Sequence, residues 1–143
     1  MESNPLLRLP NLYNPMNEFM FLIRNRNDHR ANLSPEQHQL FLKKCEAYIT
    51  QLKEKGQLIA AQPIERQGKI IYKYGGEFKS MAFDELREIW VGYYHILAND
   101  LQEAIAIAKE NPEFEFGANA TIEVRPVKTR EESTGFLYPG TVH

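Results

Sequence analysis

The run Phe19-Met20-Phe21-Leu22-Ile23 constrains this chain most, because it is apolar at every position. A strand with one face in water alternates apolar and polar residues. An unbroken apolar run of this length instead predicts a strand buried on both faces. The rest of the sequence supplies only two amphipathic helices, and two helices cover one face of a sheet. Something else must cover the other face, and a second copy of the chain is the simplest cover.

The first helix starts at Ser34-Pro35-Glu36-Gln37. Ser34 suits the N-cap, Pro35 the first helical position, and Gln37 completes a capping box. Phe41, Cys45, Tyr48 and Leu52 follow on one stripe, with Leu42 and Ile49 beside it. Gly56 ends the helix after Lys53 and Lys55, which complement the negative end of its dipole. Asn99 or Asp100 caps the second helix. Leu101, Ala104, Ile105 and Ala108 line one of its faces, and Asn111-Pro112 stops it.

Further strands are predicted at 58–61, 69–74, 89–97 and 120–127, with Gly75-Gly76 breaking the pattern. Residues 80–87 read as a loop or a short helical turn. The order β-α-β-β-β-α-β is an α+β, ferredoxin-like split βαβ with an extra hairpin strand. The domain spans 18–127, between a Pro/Asn-rich arm at 1–17 and a tail at 128–143 without periodicity.

Composition narrows the partners. The chain has 143 residues, enough for one domain with a real core. A net charge of −2, with Lys and Arg interspersed among Glu and Asp, offers no basic face for nucleic acid. Cys45 is the single cysteine, so no internal disulfide forms, which suits a reducing compartment. No signal peptide and no membrane-spanning run is present, and the cytoplasm is the expected location. His29, His38, His95 and His143 are scattered without ligand-like spacing, so no metal is expected. Gly75-Gly76 stands outside any phosphate-binding pattern, and no organic cofactor is expected.

In the predicted topology, one end of the sheet gathers the end of the first strand (Arg24), the start of the first helix (His38), the end of the second helix (Asn111) and the start of the last strand. His38 shares the sheet-facing stripe, three residues before Phe41, and is the candidate base; the alternative is a half-exposed histidine capping the core. Arg24 suits an anion or a carboxylate. On the last strand Ile122 and Val124 share one face, and Thr121, Glu123 and Arg125 the other. Glu123 and Arg125 form either a structural ion pair or a ligand anchor. Tyr93 and Tyr94 point to opposite faces, so one of them reaches the space between paired sheets. Cys45 reads as a buried, inert thiol.

The segments Val91-Gly92-Tyr93-Tyr94-His95-Ile96 and Ile122-Glu123-Val124-Arg125-Pro126-Val127, with Leu33-Ser34-Pro35-Glu36, resemble the YCII-related family, especially its DGPF branch. The resemblance implies a homodimer built as a dimeric α+β barrel. In the short branch of that family, a His in the first helix pairs with an Asp before a Pro at the end of the second. That pair has been proposed as catalytic, and dehydrochlorination of chlorinated hydroxyquinols is attributed to one group. The matching positions here are Cys45 and Asn111. The DGPF tetrapeptide falls on Ser80-Met81-Ala82-Phe83, where only Phe83 remains. Two readings follow. One is a small-molecule-binding protein or cofactor-independent, lyase-like enzyme with a cleft at the dimer's sheet interface. The alternative is a non-catalytic regulatory or interaction domain that has lost the His/Asp pair.

Overall fold

A computed structural model describes residues 16–26, 32–83, 89–117 and 119–140. Most of the arm at 1–17 therefore lies outside the described residues, as do His29 and His143. Six strands and three helices are described: β1 (Asn17–Asn25), α1 (Pro35–Glu54), β2 (Leu58–Pro63), β3 (Ile70–Tyr74), β4 (Glu77–Met81), β5 (Ile89–Ala98), α2 (Leu101–Lys109), α3 (Glu113–Phe116) and β6 (Thr121–Pro126). Four strands form an antiparallel sheet in the order β2-β5-β1-β6. This α+β arrangement is compatible with a ferredoxin-like fold. Among the described residues, no helix is long and apolar enough to cross a membrane.

Local sequence explains the helix starts. The Ser34 hydroxyl accepts from the Gln37 amide at 3.2 Å, and the Gln37 side chain accepts from the Ser34 amide at 2.9 Å. Two orphan donors of the first turn are thereby satisfied. Asp100, not Asn99, caps α2, accepting from the Glu103 amide at 2.8 Å. Gly56 takes a φ of 68° where α1 ends.

The first strand corrects one expectation. Its burial alternates instead of running through both faces. Phe19, Phe21 and Ile23 are buried under the helices, while Met20 and Leu22 are only half-buried on the other face. The helix-side core joins Phe21, Ile23, Tyr94 and Ile96 to Tyr48 and Leu52 of α1 and Ala104 and Ala108 of α2. Ile122 and Val124 pack against that core, as their alternation predicts. Opposite the helices lies an open sheet face carrying Met20, Leu22, Arg24, Tyr93, His95, Glu123 and Arg125.

The hairpin also differs from expectation. One extra strand was expected, with residues 80–87 as a loop or helical turn. Instead β3 and β4 pair with each other as a separate two-stranded sheet, and Ser80 and Met81 close β4. Gly75 and Gly76, at φ 60° and 81°, form the two-residue turn between them. Every residue of both strands is exposed. Burial gives them no apolar alternation to read, so β4 left little signal. The short helix α3 was not anticipated beyond the stop at Pro112.

Candidate functional site

The helix-side packing is incomplete at one place. Between α1 and the paired strands β2 and β5 lies a cavity of about 450 Å³. Ile23, Phe41, Ile49, Ala61 and Val91 give it apolar walls, and Cys45, Tyr94 and Glu113 share the lining with further polar side chains such as Thr50, Lys53 and Gln62. An apolar pocket with a few convergent polar groups is the usual form of a small-molecule site.

Each polar group arrives by a local device. Cys45 stands on the sheet-facing stripe of α1 but is only half-buried, because it faces the cavity and not the core. Gly92 sits opposite Pro63 with no side chain, letting the end of β2 close against β5 beside the cavity. Glu113 is brought in by α3. Asn111 fixes the turn into that helix, its Oδ1 accepting from the Glu113 amide at 2.9 Å. Phe116 stacks edge-on against Phe41 at 5.3 Å, and Glu115 pairs with Lys44, so α3 is fastened to α1. Glu113 ends 4% exposed, a depth of burial that carboxylates rarely reach unless paired.

The two phenols behind the cavity are electrostatically coupled. Tyr48 and Tyr94 meet edge to face at 5.5 Å, and the Tyr48 hydroxyl donates to the Ile107 carbonyl at 2.7 Å. Burial pushes the Tyr94 phenol well above its ordinary pKa. Neighbouring Cys45 and Glu113 push in the same direction, against a smaller opposing contribution from the Asn111 side chain. Tyr48 is raised by burial first, then by Tyr94 and Glu110, again opposed by Asn111. Asn111 is 2% exposed, and its Nδ2 completes no hydrogen bond among the described residues. It stands near enough to influence both hydroxyls without closing on either.

The residues expected to converge are divided between the two faces. Tyr94 and Asn111 belong to the helix side, and Tyr93 also lines the cavity while projecting from the open face. Arg24, Glu123 and Arg125 sit together on the open face. Glu123 lies 3.8 Å from Arg24 and 3.3 Å from Arg125, and the Arg24 guanidinium stacks 4.0 Å over the Trp90 ring. His38 is half-buried in the first turn of α1, its Nδ1 without a hydrogen bond among the described residues, and it does not line the cavity. Sequence reading passed over Glu113 and gave Tyr48 only a place on the packing stripe of the first helix. The one available signal for Glu113 was an acidic residue directly after the helix-stopping Pro112. No group of three or more His, Cys, Asp or Glu that could hold a metal occurs among the described residues.

The profile of the YCII-related domain matches residues 18–128. No curated protein matches the chain.

Proposed function

From a chain that belongs to the YCII-related family, we propose a small-molecule-binding protein that uses the cavity under α1, with cofactor-independent proton transfer as its chemistry. The observation that carries this reading is Glu113, a buried carboxylate in the lining beside Cys45 and Tyr94. The family's His/Asp pair corresponds to Cys45 and Asn111, which form no such pair, so Glu113 takes the role of proton acceptor. Tyr94 stays protonated across the neutral range and donates a hydrogen bond to charge developing on the ligand. The apolar walls select a ligand with a mostly apolar body.

Cys45 makes the reading testable, since it is the only thiol and it lines the cavity. Ligands found by thermal-shift screening should slow alkylation of Cys45 by iodoacetamide. Glu113→Gln should keep that protection and lower any turnover about 100-fold or more, the usual weight of a general base. Thermal-shift ligands that never protect Cys45 would place binding elsewhere. Unchanged turnover in Glu113→Gln would remove Glu113 as the base, and protection with no turnover of any protecting ligand by the wild-type chain would favour the second reading, a non-catalytic interaction domain, which the non-ionising Asn111 supports.

The open sheet face supports a homodimer with sheets face to face. Met20, Leu22 and Tyr93 are only half-buried there, and Trp90 is 42% exposed. Light scattering should give twice the 16.6 kDa chain mass. A monomer at micromolar concentration would leave that face to another partner. Arg24, Glu123 and Arg125 remain candidate ligand contacts within such an interface, and His38 remains one at the start of α1. The alkylation assay on His38→Ala, Arg24→Ala and Arg125→Ala reports whether any of them reaches the same ligand.

A further inference from the structure

The hairpin β3–β4 forms a sheet of its own, apart from the four-stranded one. The period of two sets Ile70, Tyr72, Tyr74 and Met81 on one of its faces, and Ile71 and Phe78 on the other. All six are exposed, and Tyr74 and Phe78, beside the turn, reach 73% and 77%. A two-stranded hairpin is marginal in water unless one of its faces packs on something, and an exposed apolar surface of this extent marks an interaction site. The three rings alone leave roughly 400 Å² uncovered. That is about half of the ~800 Å² that a stable dimer buries on each partner.

Charge decides which partner fits. Lys69, Lys73 and Lys79 take no ion pair among the described residues, although Lys73 lies 5.3 Å over the Phe78 ring. Three lysines against Glu77 leave residues 69–81 at +2. The whole chain is −2, so the remainder carries −4. A polyanion drawn to the hairpin would be repelled by that acidic remainder. A second copy of the chain complements it instead, because two-fold symmetry sets each basic hairpin against the acidic body of its partner. Position agrees with charge. The hairpin hangs from the sheet end where β2 closes and β5 opens. There β5 carries Trp90 and Tyr93 of the open face, so the hairpin adjoins the sheet-to-sheet contact proposed above.

We propose that the hairpin is a clasp, reaching past that contact to pack Tyr74 and Phe78 on a second copy of the chain. The proposal rests on the face-to-face dimer. Analytical ultracentrifugation of the wild type and of the double variant Tyr74→Ser/Phe78→Ser tests it. The double variant should unfold at the wild-type temperature when monomeric, since both rings face solvent within one chain. It should raise the dimer dissociation constant about 100-fold or more, because each substitution occurs twice at a symmetric interface. Independently, a photo-crosslinking phenylalanine analogue at position 78, in a mixture of 14N and 15N chains, should give cross-linked peptides that join the two isotopes. Cross-links confined to single copies, or a dimer as tight in the double variant as in the wild type, would overturn the clasp and leave the face-to-face dimer standing. So would wild-type binding to phosphatidylserine vesicles or to oligothymidylate that the double variant loses with its dimer intact. A wild-type chain that stays monomeric would sink the dimer and the clasp together. Cys45 protection reports the cavity under α1 separately.

Discussion

Gly92→Ala is expected to lower folding stability by about 2–3 kcal/mol. A methyl at that position would lie 2.6 Å from the Gln62 carbonyl oxygen and 3.0 Å from the Pro63 Cα. Both are backbone atoms, so no rotamer change relieves the contact, and β2 must separate from β5. Gln62, Pro63, Gly92 and Tyr94 all line the cavity, so the same separation should distort the site. The midpoint should fall by about 6–10 °C in a domain of this size, and ligand protection of Cys45 should weaken with it. Gly140→Ala is the control. Its new methyl meets nothing closer than 3.8 Å, and its effect should stay within about 0.5 kcal/mol. An equally small effect at Gly92 would mean that the end of β2 yields freely and does not define the cavity.

How much of this was legible in the sequence follows from where each signal resides. The course of α1 was legible because its cap, its stripe and its stop are local chemistry, from Ser34 and Gln37 to Gly56. The two faces of β6 and the opposite directions of Tyr93 and Tyr94 followed from the period of two. The hairpin was not legible as two strands, because β3 and β4 bury nothing and burial is what writes alternation into a strand. The cavity was hidden for a different reason. It exists where α1 fails to fill the sheet, a difference between two surfaces that no single segment encodes. Glu113 enters it through a four-residue helix whose placement depends on the Phe41–Phe116 contact between distant parts of the chain.

The phenols behind the cavity should make the fold fail in alkali. Tyr48 and Tyr94 both have pKa values raised in the folded chain, by burial first and by neighbouring charge second. In the unfolded chain a tyrosine ionises near its ordinary value, about 10. A raised folded value therefore stabilises the fold fully below about pH 10, and that stability is lost as pH climbs from there toward the folded value. Each phenol should cost about 1.4 kcal/mol by pH 11, and the pair up to about 2.8 kcal/mol. Urea unfolding at pH 9, 10 and 11 measures the slope. Tyr48→Phe should remove close to half the slope. It should also lower stability at pH 7 by about 1 kcal/mol, since the Ile107 carbonyl loses its donor. Tyr94→Phe should flatten the alkaline slope by a similar amount, while its neutral-pH effect reports how much the cavity depends on that hydroxyl. A wild-type curve flat from pH 9 to 11 would mean that the phenols reach water readily. The protonated Tyr94 on which the proposed chemistry depends would then lose its physical basis.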